Sequence, residues 1–306
     1  GMVFMILFAK TEFTDGLVNI VLSVFGMERT EALLGAFNRS TPLTLRVNTL
    51  RTSREALLSR LREAGYAAEP TRESEDGILL PSAPVPSLPG FAEGHFFVQD
   101  EASQLCVKAL DAKCGMTVLD ACACPGGKSF AIAMGMKNEG TLLSCDLHKN
   151  KLSLVESGAA RLGISIITTR EQDGREFDPS ISADRIICDV PCSGFGVMAK
   201  KPELRYKDPE ASKGLPQIQL DILNNAAKYL KKGGVMVYST CTVFKDENEE
   251  NVKRFLEQNP DFCLTPFSAG ELDAPDGYVT LRPDIHGTDG FFIAKFRNKI
   301  WYFLFR

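Results

Sequence analysis

The sequence predicts an α/β protein with a doubly wound, mainly parallel sheet and a small N-terminal α+β module. Short apolar runs alternate with helical periodicities from residue 117 onward, and several of these runs end in an acidic residue or a cysteine. Prolines and glycines cluster in "PSAPVPSLPGFAEGHF" (81–96), which divides the chain into two parts. With 306 residues, 44% hydrophobic and 24% charged, the chain has room for one large domain or two smaller ones.

The part before this proline-rich connector has the pattern of a small mixed module. "LTLRVNTL" alternates as a strand does, "SREALLSRLREAG" has helical periodicity and stops at Gly65, and "GILL" begins another strand. Six arginines stand against two glutamates between Arg39 and Glu63, a local charge of +4. Two interpretations of this patch stay open: it binds an RNA backbone, or it is a solvated helix face.

After the connector, predicted strands and helices alternate in the order of a doubly wound sheet. Ligands of such sheets bind at the carboxyl ends of the strands, and Asp120, Asp146, Asp189 with Cys192, and Cys241 all fall there. The strands are "TVLDAC", "GTLLSCD", "ISIITTR", "ADRIICDVP", "VMVYSTC", "YVTLRP" and "FFIAKF". Four helices are predicted: one that begins at Gly127, one in "KLSLVESGAARLG", one in "LPQIQLDILNNAAKYLKKGG" and one that begins at Asp246.

The stretch "VLDACACPGGKSFAIA" (118–133) reads as a strand end followed by a turn that opens a helix. A Walker A loop needs glycine where Cys122 stands, and Pro125 breaks the dinucleotide-binding pattern of three glycines. What remains is a helix N-terminus that can face a carboxylate, such as the one on S-adenosylmethionine. A tight strand-to-helix connection without a ligand is the alternative.

Two acidic residues further along extend this turn into a site for a nucleoside. Asp146 ends the second strand, where its carboxylate can accept hydrogen bonds from ribose hydroxyls, and Asp173 in "EQDG" can reach an adenine amine. Each aspartate alone is weak evidence for a nucleoside site, because aspartate is common at helix caps and turns.

Two cysteines, Cys192 in "DVPCSGFG" and Cys241 in "YSTCTV", follow the fourth and fifth strands. Each alone is as well explained as a small buried residue, but if the two strands are neighbours both thiols line one pocket. A thiolate that adds to carbon 6 of cytosine turns carbon 5 into a nucleophile for a methyl group. Asp189 is placed to give N3 a proton or a hydrogen bond, a second thiol can assist the later elimination, and Lys128 is a candidate to ionise a thiol.

Composition argues against several classes of protein. A net charge of −4 argues against a generally basic nucleic-acid binder. Nine cysteines without disulfide-rich spacing indicate a reducing compartment, and the absence of a C-x-x-C pair argues against bound metal. Eight consecutive apolar residues at 2–9 are too few to span a bilayer, so we expect a cytoplasmic protein.

With these residues in order, the sequence resembles the RNA cytosine-5 methyltransferases of the Sun/Fmu (NOL/NOP/Sun) type. The resemblance runs from Phe37 to Phe296 through "LRVNTL", "FFVQDEASQL", "VLDACACPGGKS", "DVPCSGFG", "KPELRY", "YSTCTVFKDENEENV" and "GTDGFFIAKF". It implies a class I, Rossmann-like methyltransferase domain and an RRM-like RNA-binding module. We expect a helical segment at 1–37, the module at 38–95, the methyltransferase domain at 96–298 and an apolar tail at 299–306.

The resemblance also assigns roles to residues. It implies that Cys241 is the nucleophile, that Cys192 assists product release, and that Lys128 and Asp189 belong to the catalytic set. DNA cytosine methyltransferases attack with the Pro-Cys cysteine, so the order of the two thiols comes from the resemblance alone. The implied binding residues for S-adenosyl-L-methionine are Ala123, Cys124, Pro125, Gly126, Gly127, Lys128, Asp146, Asp173 and Asp189. The candidates for RNA contacts are Arg39, Arg46, Arg51, Lys201 and Arg205.

Some features depart from the pattern of the family. Cys124 stands where alanine or serine is common, Ser129 where threonine is, Lys151 where arginine is, and Tyr206 where tryptophan is. We expect neither a NusB-like helical domain nor a PUA-like module in this sequence. The function expected is methylation of carbon 5 of a cytosine in RNA, ribosomal RNA before tRNA. A catalytically idle ribosome-assembly factor is the alternative, whereas "DVPC" lacks the second proline and the aromatic residue of amino-group methyltransferases.

Overall fold

The computed structural model describes residues 13–38, 42–198, 200–201, 203–204 and 207–301. The first described element is helix α1 (Asp15–Phe37), which begins where the Thr14 side chain accepts a hydrogen bond from the Leu17 amide. Gly26 (φ 74°) interrupts the helical backbone and produces a kink. The predicted helical segment at 1–37 is thus helical from 15 to 37, and its first twelve residues lie outside the described chain.

A small antiparallel sheet follows, with strand order β2-β3-β1-β4. Its helix, α2, starts where the Ser53 side chain accepts a hydrogen bond from the Ala56 amide, and it packs Leu57 and Leu61 against the sheet. The predicted strand at "LTLRVNTL", helix at "SREALLSRLREAG" and strand at "GILL" are confirmed. The elements are β1 (Leu43–Val47), α2 (Arg54–Glu63), β2 (Glu69–Pro70), β3 (Gly77–Leu80) and β4 (Phe96–Val98).

The central sheet of the described chain has the order β10-β14-β9-β8-β5-β6-β7, with β13 paired to β14. Strands β5 to β9 pair in parallel, whereas β14 is antiparallel to β9, so the predicted doubly wound, mainly parallel sheet is confirmed. Strand β5 has β6 on one side and β8 on the other, which opens a crevice at its carboxyl end. The strands are β5 (Thr117–Asp120), β6 (Thr141–Asp146), β7 (Ile167–Glu171), β8 (Ala183–Asp189), β9 (Leu230–Thr240), β10 (Phe262–Leu264), β13 (Tyr278–Leu281) and β14 (Phe291–Asn298).

Helices cover both faces of this sheet, and an apolar core lies on each face. A short hairpin, β11 (Phe267–Ala269) and β12 (Leu272–Ala274), adds to one of them. In the described chain no helix is both long and apolar enough to cross a membrane. The helices are α3 (Glu101–Leu110), α4 (Gly127–Gly135), α5 (Leu152–Leu162), α6 (Leu215–Ala227), α7 (Glu249–Gln258) and α8 (Pro283–His286).

Two predicted helix boundaries are wrong. Helix α6 ends at Ala227, and the segment "LKKGG" belongs to strand β9, because Leu230 already pairs with Ala183 of β8. The helix expected from Asp246 begins at Glu249, because the Glu247 side chain accepts a hydrogen bond from Ser193 in the loop after β8 and the Asn248 side chain donates to the Thr242 carbonyl.

Helix α1 packs against the two loops that leave the carboxyl ends of β8 and β9. Leu33, Leu34 and Phe37 share one apolar cluster with Phe195 of the first loop and Phe244 of the second. The Phe195 and Phe244 rings are 5.2 Å apart. Because these loops also carry Cys192 and Cys241, the packing of α1 helps to hold the loops of both thiols in place.

We expect Leu34→Ala to lower the free energy of unfolding by about 2–5 kcal/mol, because Leu34 is fully buried and its removal leaves a cavity. Urea unfolding followed by circular dichroism measures this loss. The matched control is Leu154→Ala in α5, where the side chain is 53% exposed and the change should stay within about 0.5 kcal/mol. Equal losses in the two variants would contradict the packing described for α1.

Candidate active site

The turn between β5 and α4 is tied to both neighbouring strands. The Ala121 amide donates to the Ile187 carbonyl of β8 (3.0 Å), and the Ala123 amide donates to the Cys145 carbonyl of β6 (2.8 Å). At Gly126 the backbone has φ +116°, and a Cβ there would lie 2.8 Å from Phe130 Cζ, so glycine is required. No side chain caps the N-terminus of α4, which leaves its first amides for a ligand.

Asp120 lies beneath this turn with 1% of its surface exposed. Ser129 Oγ donates to its Oδ2 at 2.7 Å and also lies 2.7 Å from Ser144 Oγ. Burial raises the pKa of Asp120 to about 7, although the Ser129 hydrogen bond opposes the shift. Asp120 therefore supports the turn from inside and does not reach a ligand itself.

A cavity of about 680 Å³ opens at the carboxyl ends of the parallel strands. Its volume is in the usual range for sites that hold a cofactor or substrate. Asp146 lines it, and its two carboxylate oxygens accept hydrogen bonds from the Cys124 and His148 amides, both at 3.0 Å. Asp173 lines the same cavity and pairs with Arg175 at 2.7 Å, whose hydrogen bonds hold the pKa of the Asp173 carboxyl below its usual range.

The two thiols predicted to share a pocket lie 2.8 Å apart, Sγ to Sγ, and are free cysteines. They meet because β8 and β9 are parallel neighbours in a register that sets Asp189 beside Ser239, so both loops leave the sheet at one point. The Cys241 amide also lies 3.3 Å from Cys192 Sγ, and both residues line the cavity.

Two cysteines of the cavity have raised pKa values. The hydrogen bond to Cys241, burial, and the charges of Cys241 and Glu247 together raise the pKa of Cys192 well above its usual range. Burial first, and then the Asp146 carboxylate, raise the pKa of Cys124 to about 12. Cys192 and Cys124 therefore stay protonated at neutral pH.

Lys128 and Asp189 form an ion pair beside the thiols, with Nζ 2.6 Å from Oδ2. Ser239 Oγ donates to the other carboxylate oxygen of Asp189 at 2.8 Å. Burial disfavours the charge of Lys128, but the Asp189 carboxylate outweighs burial and raises the pKa of Lys128 above its usual value. The lysine we considered as a charge for ionising a thiol is thus bound to Asp189, which itself lines the cavity.

Sequence reasoning gave no role to Glu247, whose carboxylate is 2% exposed behind the Cys192 loop. It accepts hydrogen bonds from the Ser193 amide (2.9 Å), Ser193 Oγ (2.7 Å) and Gln219 Nε2 (3.0 Å). The only signal in the sequence was its place in "KDENEENV", an acidic run that reads as a solvated helix start.

The residues predicted to contact RNA have different surroundings. Arg46 is buried and pairs with Asp76 at 3.3 Å, and Arg51 donates to the Glu93 and Arg161 carbonyls. Lys201 is exposed and lines the cavity. Arg39 and Arg205 lie outside the described residues, and a role in RNA binding stays a prediction for all five. The remaining arginines of the basic patch, Arg54, Arg60 and Arg62, bind Ser74, Glu93 and Glu69 respectively.

The parallel sheet, with an uncapped helix and an acidic strand end at its crevice, defines a class I methyltransferase fold. Residues 107–297 match the family model described as 16S rRNA methyltransferase RsmB/F, and residues 15–86 match its ferredoxin-like domain. The chain belongs to this family of RNA methyltransferases, which confirms the family resemblance of its motifs. The ferredoxin-like match begins within α1, and the boundaries expected at 38, 96 and 299 stay predictions.

Relatives in bacteria and a solved structure agree with this assignment. The chain is 39% identical over 302 residues to the probable ribosomal RNA small subunit methyltransferase B of Bacillus subtilis. It is 34% identical over 297 residues to the protein of that name from Synechocystis. These alignments cover 95% and 94% of the chain and 67% of each relative, so the chain spans about two thirds of their length. A methyltransferase homolog protein from Pyrococcus horikoshii superposes with a TM-score of 0.84 at 27% identity, over 97% of this chain and 99% of that one.

We expect Asp120→Asn to flatten the pH dependence of stability. The pKa of Asp120 is about 7 in the folded state, against about 4 in an unfolded chain. Between about pH 4 and pH 7 the Asp120 carboxyl is protonated in the folded state and ionised in the unfolded state. The stability that this proton contributes is therefore complete below about pH 4 and is lost as pH rises through about 7. Urea unfolding between pH 5 and 8 should show a fall of at most about 1.4 kcal/mol per pH unit that the variant lacks.

The control for this measurement is Asp276→Asn, which changes the same side chain at an exposed position. Its profile should follow that of the unmodified protein. Identical slopes for Asp120→Asn and the unmodified protein would show that the Asp120 carboxyl is already ionised at pH 5.

Proposed function

We propose that the protein transfers a methyl group from S-adenosyl-L-methionine to carbon 5 of a cytosine in RNA, through a covalent bond between Cys241 Sγ and carbon 6. One observation carries this proposal. Two free thiols, 2.8 Å apart, line the same cavity as the turn and acidic residues that suit a nucleoside. Binding alone needs no such pair of thiols, and most other methyl transfers do not need a nucleophile from the protein.

The cofactor site is argued from the surroundings of the turn. The uncapped amides of α4 suit a carboxylate, and Asp146 at the end of β6 suits ribose hydroxyls. The backbone from Ala123 to Gly127, together with Asp146 and Asp173, would hold S-adenosylmethionine, which supplies an electrophilic methyl group when bound. Membership of the class I methyltransferase family supports this choice of cofactor.

The side chains of the protein then have separate tasks. The Cys241 thiolate adds to carbon 6, and the charge of the addition passes to N3 of the ring. Asp189, held by Lys128 and Ser239, faces the cavity; its carboxylate takes up a proton from solvent as the cytosine binds and donates it to N3 when the charge of the addition develops there. The Cys192 thiol lies beside Cys241 and assists the elimination that frees the product.

An RNA substrate is supported by the family and by lysines at the cavity. Lys201 and Lys207 both line it, where they can contact the phosphates beside a target base. Since the bacterial relatives are named for the RNA of the small ribosomal subunit, we propose ribosomal RNA as the substrate before tRNA.

The primary test measures transfer of radiolabelled methyl groups to ribosomal RNA and tRNA from cells that lack the gene, followed by bisulfite mapping. One modified cytosine in the ribosomal pool is expected. Transfer to tRNA alone would show that tRNA, and not ribosomal RNA, is the substrate. Binding of S-adenosylmethionine without transfer to either pool would favour an idle assembly factor.

Cys241→Ala should abolish methyl transfer, because it removes the sulfur that bonds to carbon 6, and the neighbouring Cys192 thiol keeps its proton. Cys192→Ala should retain the attack but slow release, so a covalent protein–RNA adduct should accumulate and appear as a shifted band after denaturing electrophoresis. Cys114→Ala, which removes an exposed thiol, is the matched control and should behave as the unmodified protein. Normal activity of Cys241→Ala would exclude the proposed nucleophile.

Asp146→Ala should weaken binding of S-adenosylmethionine by about tenfold or more, because the charged hydrogen-bond acceptor for the cofactor and for the Cys124 amide is lost. Isothermal titration calorimetry measures the dissociation constant directly and needs no RNA. Asp276→Ala, at an exposed position, is the control. Unchanged affinity in Asp146→Ala would place the cofactor elsewhere in the cavity.

A further inference from the structure

Glu247 is a buried carboxylate whose hydrogen-bond donors are all neutral. Burying a carboxylate is costly unless donors compensate for the lost water. The Ser193 amide, Ser193 Oγ and Gln219 Nε2 fill this role for Glu247, at 2.7–3.0 Å. These donors satisfy both carboxylate oxygens, and none of them forms an ion pair with Glu247.

These donors connect Glu247 to both thiol loops. Ser193 follows Cys192 directly, and Ser193 Oγ also lies 2.9 Å from Thr242 Oγ1, next to Cys241. Gln219 Nε2 donates in addition to the Pro191 carbonyl at 2.9 Å. One carboxylate thus connects the loop after β8 with the loop after β9, the two loops that carry the sulfurs.

The Glu247 carboxylate bonds directly to Ser193, the neighbour of Cys192, and connects to the Cys241 loop through the Ser193 Oγ–Thr242 Oγ1 contact. It stands behind Cys192, and it is one of the charges that keep the proton on that sulfur. A protonated Cys192 can donate its hydrogen to Cys241 Sγ, 2.8 Å away, and a hydrogen bond of this kind stabilises the thiolate that accepts it.

Other polar and charged groups also surround this loop. Lys207 Nζ lies 3.4 Å from the Ser193 carbonyl, Asp246 Oδ1 accepts a hydrogen bond from the Glu247 amide, and the Tyr238 hydroxyl donates to the Glu247 carbonyl. Of these, Tyr238 is fully buried and uncharged, and Lys207 is only partly buried.

We propose that Glu247 is the positioning residue that decides which thiol attacks. It holds the Cys192 loop beside Cys241 and places a negative charge next to Cys192, so that Cys192 keeps its proton and Cys241 is the sulfur that attacks. This inference rests on the proposed function, because the two thiols have different roles only in that reaction.

The substitution Glu247→Gln removes the negative charge of this side chain and keeps its hydrogen bonds to Ser193 and Gln219. The amide oxygen can still accept from the Ser193 and Gln219 donors, while the amide nitrogen can donate to Ser193 Oγ, so the loop is retained and the charge is lost. Glu247→Ala removes both. Glu250→Gln is the matched control, since it makes the same change at an exposed position three residues later.

The experiment measures how fast iodoacetamide labels each thiol, with the peptides that contain Cys192 and Cys241 quantified by mass spectrometry. Thiolates react and thiols do not, so the ratio of the two rates reports which sulfur is ionised. In Glu247→Gln we expect labelling of Cys192 relative to Cys241 to rise by about tenfold. Thermal unfolding of Glu247→Gln should match that of the Glu250→Gln control, which separates this effect from a loss of structure.

An unchanged labelling ratio in Glu247→Gln, with the fold intact, would overturn the proposal. So would a change of the same size in Glu250→Gln. If Glu247→Gln unfolds, Glu247→Asp keeps the charge in a shorter side chain, and its ratio must then stay close to that of the unmodified protein.

The labelling needs neither RNA nor cofactor, so its result is independent of the proposed methyl transfer. Failure of the unmodified protein to methylate any RNA would remove the proposed function and leave the labelling ratio interpretable. With an active protein, kcat should fall in Glu247→Gln while the KM for S-adenosylmethionine stays unchanged, because Glu247 does not line the cavity.

Discussion

The parallel pairing of β8 with β9 is the constraint on which the rest of the site depends. Each strand ends beside the other, so Asp189 at the end of β8 and Cys192 and Cys241 in the loops that follow line one cavity. A shift of one residue in this register would turn the side chains of one strand to the other face of the sheet and separate these groups. The cores on both faces and the flanking helices hold the register in place.

Much of this arrangement could be predicted because it follows from local patterns. Apolar runs of strand length that alternate with helical periodicities specify a doubly wound sheet, and such a sheet fixes where its strand ends lie. Asp146, Asp189, Cys192 and Cys241 could therefore be placed at one edge from the sequence alone. Sequence patterns do not specify the order of strands in a sheet, so the adjacency of the two thiols follows only from the pairing of β8 with β9 in the structure.

The features that sequence reasoning missed depend on contacts between distant residues. Glu247 stands in an acidic run, and nothing local distinguishes a solvated glutamate from one whose donors, Ser193 and Gln219, come from other elements. The same reason explains Arg46, which counted toward a basic patch but is buried against Asp76. The helix expected from Asp246 begins at Glu249, because Glu247 accepts hydrogen bonds from Ser193 and the Asn248 side chain donates to the Thr242 carbonyl.

The packing of α1 also determines the order in which the protein can complete its fold. Its apolar face is covered by Phe195, Met198, Val243 and Phe244, which residues 38–194 separate from it along the chain. During synthesis this helix leaves the ribosome long before its partners, and its apolar side chains stay exposed until β9 has been made. Contacts of such long sequence separation form late and slow the folding of a domain. By this reasoning α1 docks late, and until it does the nascent chain exposes apolar surface of the kind that favours aggregation.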